Sequence, residues 1–348
     1  MHRAVIIGAT GFGGLGLIEI LLRHPGIEIS QLVARKDTGK PVSEVFPHLR
    51  GFCDLQVETN DSVDLDSADI AFFSTPDRAG MTLIREYYEK GIPVIDFSGD
   101  FRFSNTEDYS VYAKNKGMDQ EHFASDILAQ CVYGLPEKNR DLIRNARIVG
   151  NPGCFAISMI LGLLPAVQEN IITSDRIICD GKTGVSGAGK ASGEANLYPQ
   201  RHENINTYRE GRHQHLVEVE NVINSCSDMD KRVLFIPQVV PLNRGILMTM
   251  YADISREWDT ERVSSLYSNY YSKDPFVIIT DRSPGTADVR GSNRCEIRPL
   301  VDERTGTLVV TTVIDNLIKG QSGNAVQNAN IILGMDETAG LDIPAFYP

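Results

Sequence analysis

One short stretch, Gly8-Ala9-Thr10-Gly11-Phe12-Gly13-Gly14, restricts the folds open to this 348-residue chain more than any other. A strand-like apolar run over 4–7 precedes it. Apolar residues at helical spacing over 13–23 follow it, ending at His24-Pro25-Gly26. Glycines there permit a tight turn, and the amides of a helix that starts directly afterwards can hold a pyrophosphate. A ligand-free strand-to-helix turn is the competing reading. A strand over 28–34 completes a β-α-β unit, and a strand over 69–73, a helix over 78–90 stopped by Gly91 and a strand over 93–97 continue the alternation. The expected first domain is therefore α/β, a Rossmann-type doubly wound parallel sheet with a dinucleotide at Gly8, Thr10, Gly11, Phe12 and Gly13.

At the end of the second strand, where an acidic residue usually meets the ribose of NAD, the chain reads Val33-Ala34-Arg35-Lys36-Asp37. Arg35 and Lys36 suit a 2′-phosphate, hence NADP(H). Solvated loop charges are the alternative. From about residue 171 strand-like runs come in closer succession, over 176–179, 233–237, 246–252, 276–280, 295–301 and 307–314, which predicts a mostly antiparallel α+β second domain. A last helical pattern spans 324–333. Hydrophobic residues make up 42% and charged residues 23%, enough apolar material for two cores. The net charge of -12 repels nucleic acid and anionic membranes, and no apolar run approaches the roughly 20 residues of a membrane span. No signal peptide is evident, so a cytoplasmic protein is expected. Its six cysteines lie far apart without a C-x-x-C pair, which argues for free thiols over a zinc knuckle or a disulfide scaffold.

Asn151-Pro152-Gly153-Cys154-Phe155-Ala156-Ile157-Ser158 follows a strand-like run over 147–149 and opens a long apolar helix expected to end near Pro165. This spacing puts the Cys154 thiol at a helix N-terminus, where macrodipole and unpaired amides stabilise a thiolate nucleophile. By itself it leaves a second reading open, a small buried hydrophobe. In Arg212-His213-Gln214-His215-Leu216-Val217-Glu218 a helix would carry His215 and Glu218 on one face, so that the carboxylate could orient the ring. Zinc would need a third donor that no neighbour supplies, so no metal is expected; an exposed polar helix start is the other reading. Arg102, Lys182 and Arg244, beside glycines or strand ends, are candidate anion clamps as well as ordinary surface charges.

In these motifs and their order the chain resembles the N-acetyl-gamma-glutamyl-phosphate reductase family, relatives of aspartate-semialdehyde dehydrogenase. The resemblance rests on the glycine loop, Asn151-Pro152-Gly153-Cys154-Phe155, Tyr133-Gly134-Leu135-Pro136-Glu137, Val289-Arg290-Gly291-Ser292-Asn293 and Asp315-Asn316-Leu317-Ile318-Lys319-Gly320, with 94–102, 182–189, 240–245 and 324–328. All stand in family order over nearly the whole chain. It implies NADPH-dependent reduction of N-acetyl-glutamyl 5-phosphate to the 5-semialdehyde in arginine biosynthesis, with Cys154 as nucleophile and His215 as proton carrier oriented by Glu218. It further implies phosphate held by Arg102 and Lys182, the substrate carboxylate met by Arg244 or Arg212, and Ser186 with Asn316 near the nicotinamide. The domains implied are a dinucleotide domain over 1–150 and 325–348 and an inserted α+β catalytic and oligomerisation domain over 151–324, in a homodimer or homotetramer. Two departures, Ile157-Ser158 after the cysteine motif and Gln214, Leu216 and Val217 around the histidine, touch residues that shape the acyl pocket. They keep a carrier-protein-linked aminoadipyl phosphate in view as an alternative substrate, beside a non-catalytic nicotinamide-binding protein.

Overall fold

The computed structural model describes residues 1–190 and 193–347. From the N-terminus run β1 (His2–Ile7), α1 (Phe12–Leu21), β2 (Ile27–Val33), the single turn α2 (Val42–Val45), β3 (Val57–Glu58), β4 (Ile70–Phe73), α3 (Gly80–Lys90) and β5 (Val94–Asp96). Next come α4 (Thr106–Lys116), β6 (Cys131–Tyr133), α5 (Pro136–Ile143), β7 (Ile148–Gly150), α6 (Cys154–Gln168), β8 (Arg176–Thr183), the short α7 (Tyr198–Arg201) and β9 (Asn206–Thr207). The remainder is α8 (His215–Asn224), β10 (Arg232–Val239), β11 (Ile246–Asp253), α9 (Thr260–Tyr270), β12 (Val277–Ile279), β13 (Cys295–Asp302), β14 (Thr307–Ile314) and α10 (Gly323–Ile332).

These elements form two units. The first comprises Met1–Ser110, Asp119–Pro152 and Gln321–Asp342; the second comprises Val111–Met118, Gly153–Gly320 and the tail from Ile343. Compared with the expected limits, 151–152 and 321–324 fall in the first unit, while 111–118 and the tail fall in the second. The tail sits there because the backbone N–H of Phe346 bonds the Arg290 carbonyl at 2.8 Å. Pro348, the last residue of the expected dinucleotide segment, lies outside the described residues.

In the first unit, β1 from Ala4 on and the whole of β4 are unbroken apolar runs that a parallel sheet can cover on both faces, and Val5, Ile6, Phe72 and Phe73 are fully buried. The sheet is seven-stranded and wholly parallel, in the order β3-β2-β1-β4-β5-β7-β6. Its order reverses between β1 and β4, and the glycine loop leaves β1 at the carboxyl edge of that switch point, where open α/β sheets bind their ligands. The buried helix α10 packs on α1 and α5, and its Asn324 and Asn328 side chains each donate to the Gly134 carbonyl at 2.8 Å.

A buried acid pair stands at the end of β5. Asp96 and Asp100 are both fully buried, and Asp96 Oδ2 has no hydrogen-bond partner among the described residues. Burial, with the charge of Asp100, holds the Asp96 carboxyl well above its usual range. Burial likewise lifts Asp100 to about 6, against the pull of the Arg78 backbone N–H. Carboxyls raised above the unfolded value of 3.8 keep protons that the unfolded chain releases. Their stabilising contribution is therefore greatest below about pH 4 and is lost as pH rises through about 6. Asp96→Asn keeps the acceptor that Ser98 N–H uses at 2.9 Å and removes the charge. Its melting temperature is expected to gain on the parent by several degrees more near pH 7 than near pH 4.5; an equal gain at both would overturn the assignment.

The second unit is built on a seven-stranded mixed sheet, order β12-β13-β14-β11-β8-β10-β9, antiparallel except at β12·β13 and β8·β10. Helix α6 is apolar around its whole circumference, as an interior helix must be, and packs between β11, β14, α8 and α9. It does not end at Pro165 as expected but runs on to Gln168. Proline removes the N–H that would bond the Leu161 carbonyl. Tyr271 supplies the missing donor, its hydroxyl reaching Leu161 O at 2.5 Å, and Tyr267 bonds Gly162 O at 2.7 Å. Among the described residues, none of the helices that pack with α6 covers the opposite sheet face. Across it Leu234, Ile178, Tyr251, Val309 and Leu300 pair in a single row over five strands, with Leu234 43%, Ile178 37% and Tyr251 38% exposed. No helix among the described residues is long and apolar enough to cross a membrane.

Candidate active site

Gly153 organises the reactive end of the second unit. It is the N-cap of α6 in extended conformation, so Cys154 is the first residue of a fifteen-residue helix and sits at its positive dipole end. A Cβ on Gly153 would drive into the His215 ring, so only glycine lets the imidazole lie against the residue before the cysteine. The Gly153 N–H donates to Glu218 Oε2 at 3.0 Å. The other carboxylate oxygen, Oε1, stands 4.0 Å from His215 Nε2, too far for a hydrogen bond but close enough to stabilise an imidazolium. Glu218 is wholly enclosed and His215 nearly so. A second glycine closes the other side: a Cβ on Gly320 would come within 2.8 Å of Cys154 Cβ, and the Gly320 N–H is fixed on Asp315 O at 2.9 Å.

His213, which sequence reasoning left as half of a pair, has a different task from His215. Its Nδ1 accepts the His215 backbone N–H at 3.2 Å, and its ring meets the His215 ring edge-on at 4.6 Å. Burial, with Arg209 and Lys116 nearby, pushes its pKa down to about 3, so it is neutral near neutral pH. Phe155, Phe235 and Tyr208 pack around it at ring separations of 5.5, 5.3 and 5.8 Å. Burial and then the charge of Cys154 raise the Tyr208 phenol; nothing in its sequence context signalled that. Among the described residues, no three His, Cys, Asp or Glu side chains are grouped as a metal ion requires.

The other expected site residues of this unit divide into three groups. Ser186 and Asn316 meet: Asn316 Nδ2 donates to Ser186 Oγ at 3.0 Å, and its Oδ1 accepts the Gly245 N–H at 2.7 Å. Arg244 faces the buried Asp315 at 3.8 Å with part of its side chain exposed, while Arg212 is exposed on the turn before α8. Lys182, expected to hold phosphate, is not brought to Cys154. Strand alternation turns Gly181 toward Phe155 of α6 and Lys182 to the opposite face, where it pairs with Asp180, itself bonded by Gln238 at 2.8 Å.

In the first unit, Gly8 and Ala9 donate to the Val33 carbonyl at 2.8 and 3.0 Å, which folds the loop back on β2. Gly8 has φ +88, open to glycine at no steric cost. Gly11 then caps α1 without any side-chain bond, so no side chain of the cap takes up the first amides of the helix. Two buried acceptors nearby, Thr75 Oγ1 and Gln321 Oε1, have no hydrogen-bond partner among the described residues, and Gln321 Nε2 reaches within 3.1 Å of where a Gly13 Cβ would sit. This donor and acceptor set fits a dinucleotide. Arg35 and Lys36 are exposed at the end of β2, while Asp37, the nearest acid, is drawn to Lys40 at 3.4 Å. Arg102 is held at the β7 end, its Nε donating to Asn151 O at 2.8 Å and its Nη2 to Phe97 O at 2.6 Å.

Comparison with known proteins agrees with this division of labour. Residues 3–146 match the family model described as semialdehyde dehydrogenase, NAD binding domain, and residues 154–316 match semialdehyde dehydrogenase, dimerisation domain. Among solved structures, aspartate semialdehyde dehydrogenase II of Vibrio cholerae, in complex with ASA, shares the fold with a TM-score of 0.73 at 20% identity, covering 96% of this chain and 98% of that one. The NADP complex of the Candida albicans enzyme gives 0.67 at 17% identity, covering 96% of this chain and 98% of that one. Curated proteins called N-acetyl-gamma-glutamyl-phosphate reductase, from Thermoanaerobacter sp. (strain X514) and Moorella thermoacetica, are 41% and 40% identical over 100% of both chains. Matched end to end at those identities, the chain belongs to the N-acetyl-gamma-glutamyl-phosphate reductase family.

Proposed function

We propose that the chain reduces N-acetyl-glutamyl 5-phosphate to N-acetyl-glutamate 5-semialdehyde, releasing phosphate, in arginine biosynthesis. The coarser activity, NADP-dependent reduction of an acyl phosphate to a semialdehyde, follows from family membership and the nucleotide-binding unit. The finer reading is supported by the end-to-end match to proteins called N-acetyl-gamma-glutamyl-phosphate reductase, and the arrangement at Gly153, with a thiol on one side of it and an imidazole packed against it, supports the chemistry. The Cys154 thiolate attacks the acyl carbon, the C–O bond to phosphate breaks, and a thioester remains on the sulfur. NADPH, when bound, supplies the hydride that this thioester needs. His215 protonates the oxygen that gains charge and then takes the proton back as the C–S bond breaks and the aldehyde leaves. Glu218 stabilises the transient imidazolium and, through the Gly153 N–H, fixes the cap of the helix that bears the nucleophile. Arg102 holds the leaving phosphate, Arg244 with Arg212 meets the substrate carboxylate, Ser186 and Asn316 face the nicotinamide, and Arg35 with Lys36 read the 2′-phosphate.

The test is phosphate-dependent reduction of NADP and NAD with N-acetyl-glutamate 5-semialdehyde, beside aspartate semialdehyde. Activity on the acetylated substrate, with NADP preferred and that preference reduced about tenfold or more in Arg35→Ser, is expected. Silence on both substrates from protein that binds NADPH would overturn the assignment.

A homodimer or homotetramer in the cytoplasm completes the reading. The bare apolar row Leu234-Ile178-Tyr251-Val309-Leu300 supports it, because such a face is best covered by a second copy. Sedimentation of the purified chain at one chain's mass would rule it out.

A further inference from the structure

Beyond Asp342 the chain returns across the second unit to the turn that carries Gly291. Phe346 donates its N–H to Arg290 O at 2.8 Å, and Arg290 Nε donates to Phe346 O at 3.2 Å. The Phe346 ring then lies so close over Gly291, which has φ +78, that a Cβ there would strike it. From beneath the ring, the Gly291 N–H donates to Asp315 Oδ2 at 2.7 Å. Asp315 is fully buried, and its other oxygen accepts the N–H groups of Leu317 and Ile318 at 2.8 and 3.2 Å. The carboxylate is thus served by backbone amides. Arg244 Nη1 remains 3.8 Å from Oδ2, longer than a hydrogen bond, with 26% of its side chain exposed.

A buried carboxylate that loses an amide donor is drawn to the nearest cation, because an unserved charge in the interior is costly. Here that cation is Arg244. We propose that Phe346 is a positioning residue for substrate binding: its ring and backbone clamp the Gly291 turn, keep that amide on Asp315, and so leave the Arg244 guanidinium for the substrate carboxylate. The inference rests on the reading of Arg244 given above.

Steady-state kinetics of the full chain with N-acetyl-glutamate 5-semialdehyde, phosphate and NADP test it. Phe346 is 61% exposed, so Phe346→Ala opens no core cavity. It is expected to raise KM for the semialdehyde about tenfold with kcat within about twofold and KM for NADP unchanged. Phe346→Leu, which keeps an apolar cover on Gly291, restores most of the loss. Arg244→Ala raises KM at least as far, and the double variant Arg244→Ala/Phe346→Ala is no worse than Arg244→Ala alone, since both act through one guanidinium. Unchanged KM in Phe346→Ala beside a raised KM in Arg244→Ala overturns the clamp alone. Unchanged KM in Arg244→Ala overturns the carboxylate reading and the clamp with it. Losses that multiply in the double variant show that the tail acts by another route, and also overturn the proposal.

Discussion

Replacing Cys154 with Ala is expected to remove turnover almost completely, by about four orders of magnitude or more, while NADPH affinity stays within about twofold. The size of the effect follows from its place in the sequence of bonds. Without sulfur no thioester forms, and no other thiol substitutes for it. Cys179, on β8, is fully buried with its thiol pushed far up by desolvation, and burial lifts the Cys131 thiol to about 12. Cys154→Ser keeps the volume and the helix cap, which separates chemistry from packing. NADPH fluorescence titration and turnover in the semialdehyde direction, on the same preparation, are the measurements. Retained turnover with a lowered melting temperature would make Cys154 a packing residue and remove the proposed mechanism.

His215→Asn is expected to lower kcat roughly a hundredfold or more, the usual contribution of a positioned general acid and base. The pH profile identifies which histidine acts. His213, with its pKa down at about 3 and its Nδ1 occupied by a backbone N–H, cannot give a titration near neutrality. Any near-neutral limb of the parent's profile that disappears in His215→Asn therefore belongs to His215 and not to His213. If the limb survives, a different group carries the proton. Glu218→Gln keeps an acceptor for the Gly153 N–H and removes the charge facing His215, so it separates the two functions of that carboxylate.

The candidate site was readable in sequence because its main parts are local. A cysteine at the start of a helix and a histidine three residues before a glutamate are defined by position in one element, and helical geometry carries them into place. The glycine loop is legible for the same reason: its β-strand, turn and helix are consecutive. Lys182 shows the limit of such reasoning. Its neighbours Gly181 and Thr183 face α6, and one step of strand alternation turns Lys182 to the opposite face beside Asp180. Pro165 shows a second limit, since its helix continues only because Tyr271, more than a hundred residues away, serves the carbonyl that proline leaves without a donor.

By itself, then, the sequence determined the parallel nucleotide-binding sheet and the change of texture near residue 171, and it singled out Cys154, His215, Glu218, Arg35 and Lys36 as candidates, because each is written in short-range periodicity, turn chemistry or charge. Only the tertiary structure decided which pairs of these residues meet. It separated His213, a neutral buried ring that holds a helix start, from His215, and it gave Glu218 a backbone partner on Gly153. It also showed why Gly153 and Gly320 must be glycines, and it joined Phe346 to Arg290 across 56 residues. The physical reason is that contact between distant segments depends on strand register and on the close approach of backbone to side chain, and neither leaves a period in the sequence.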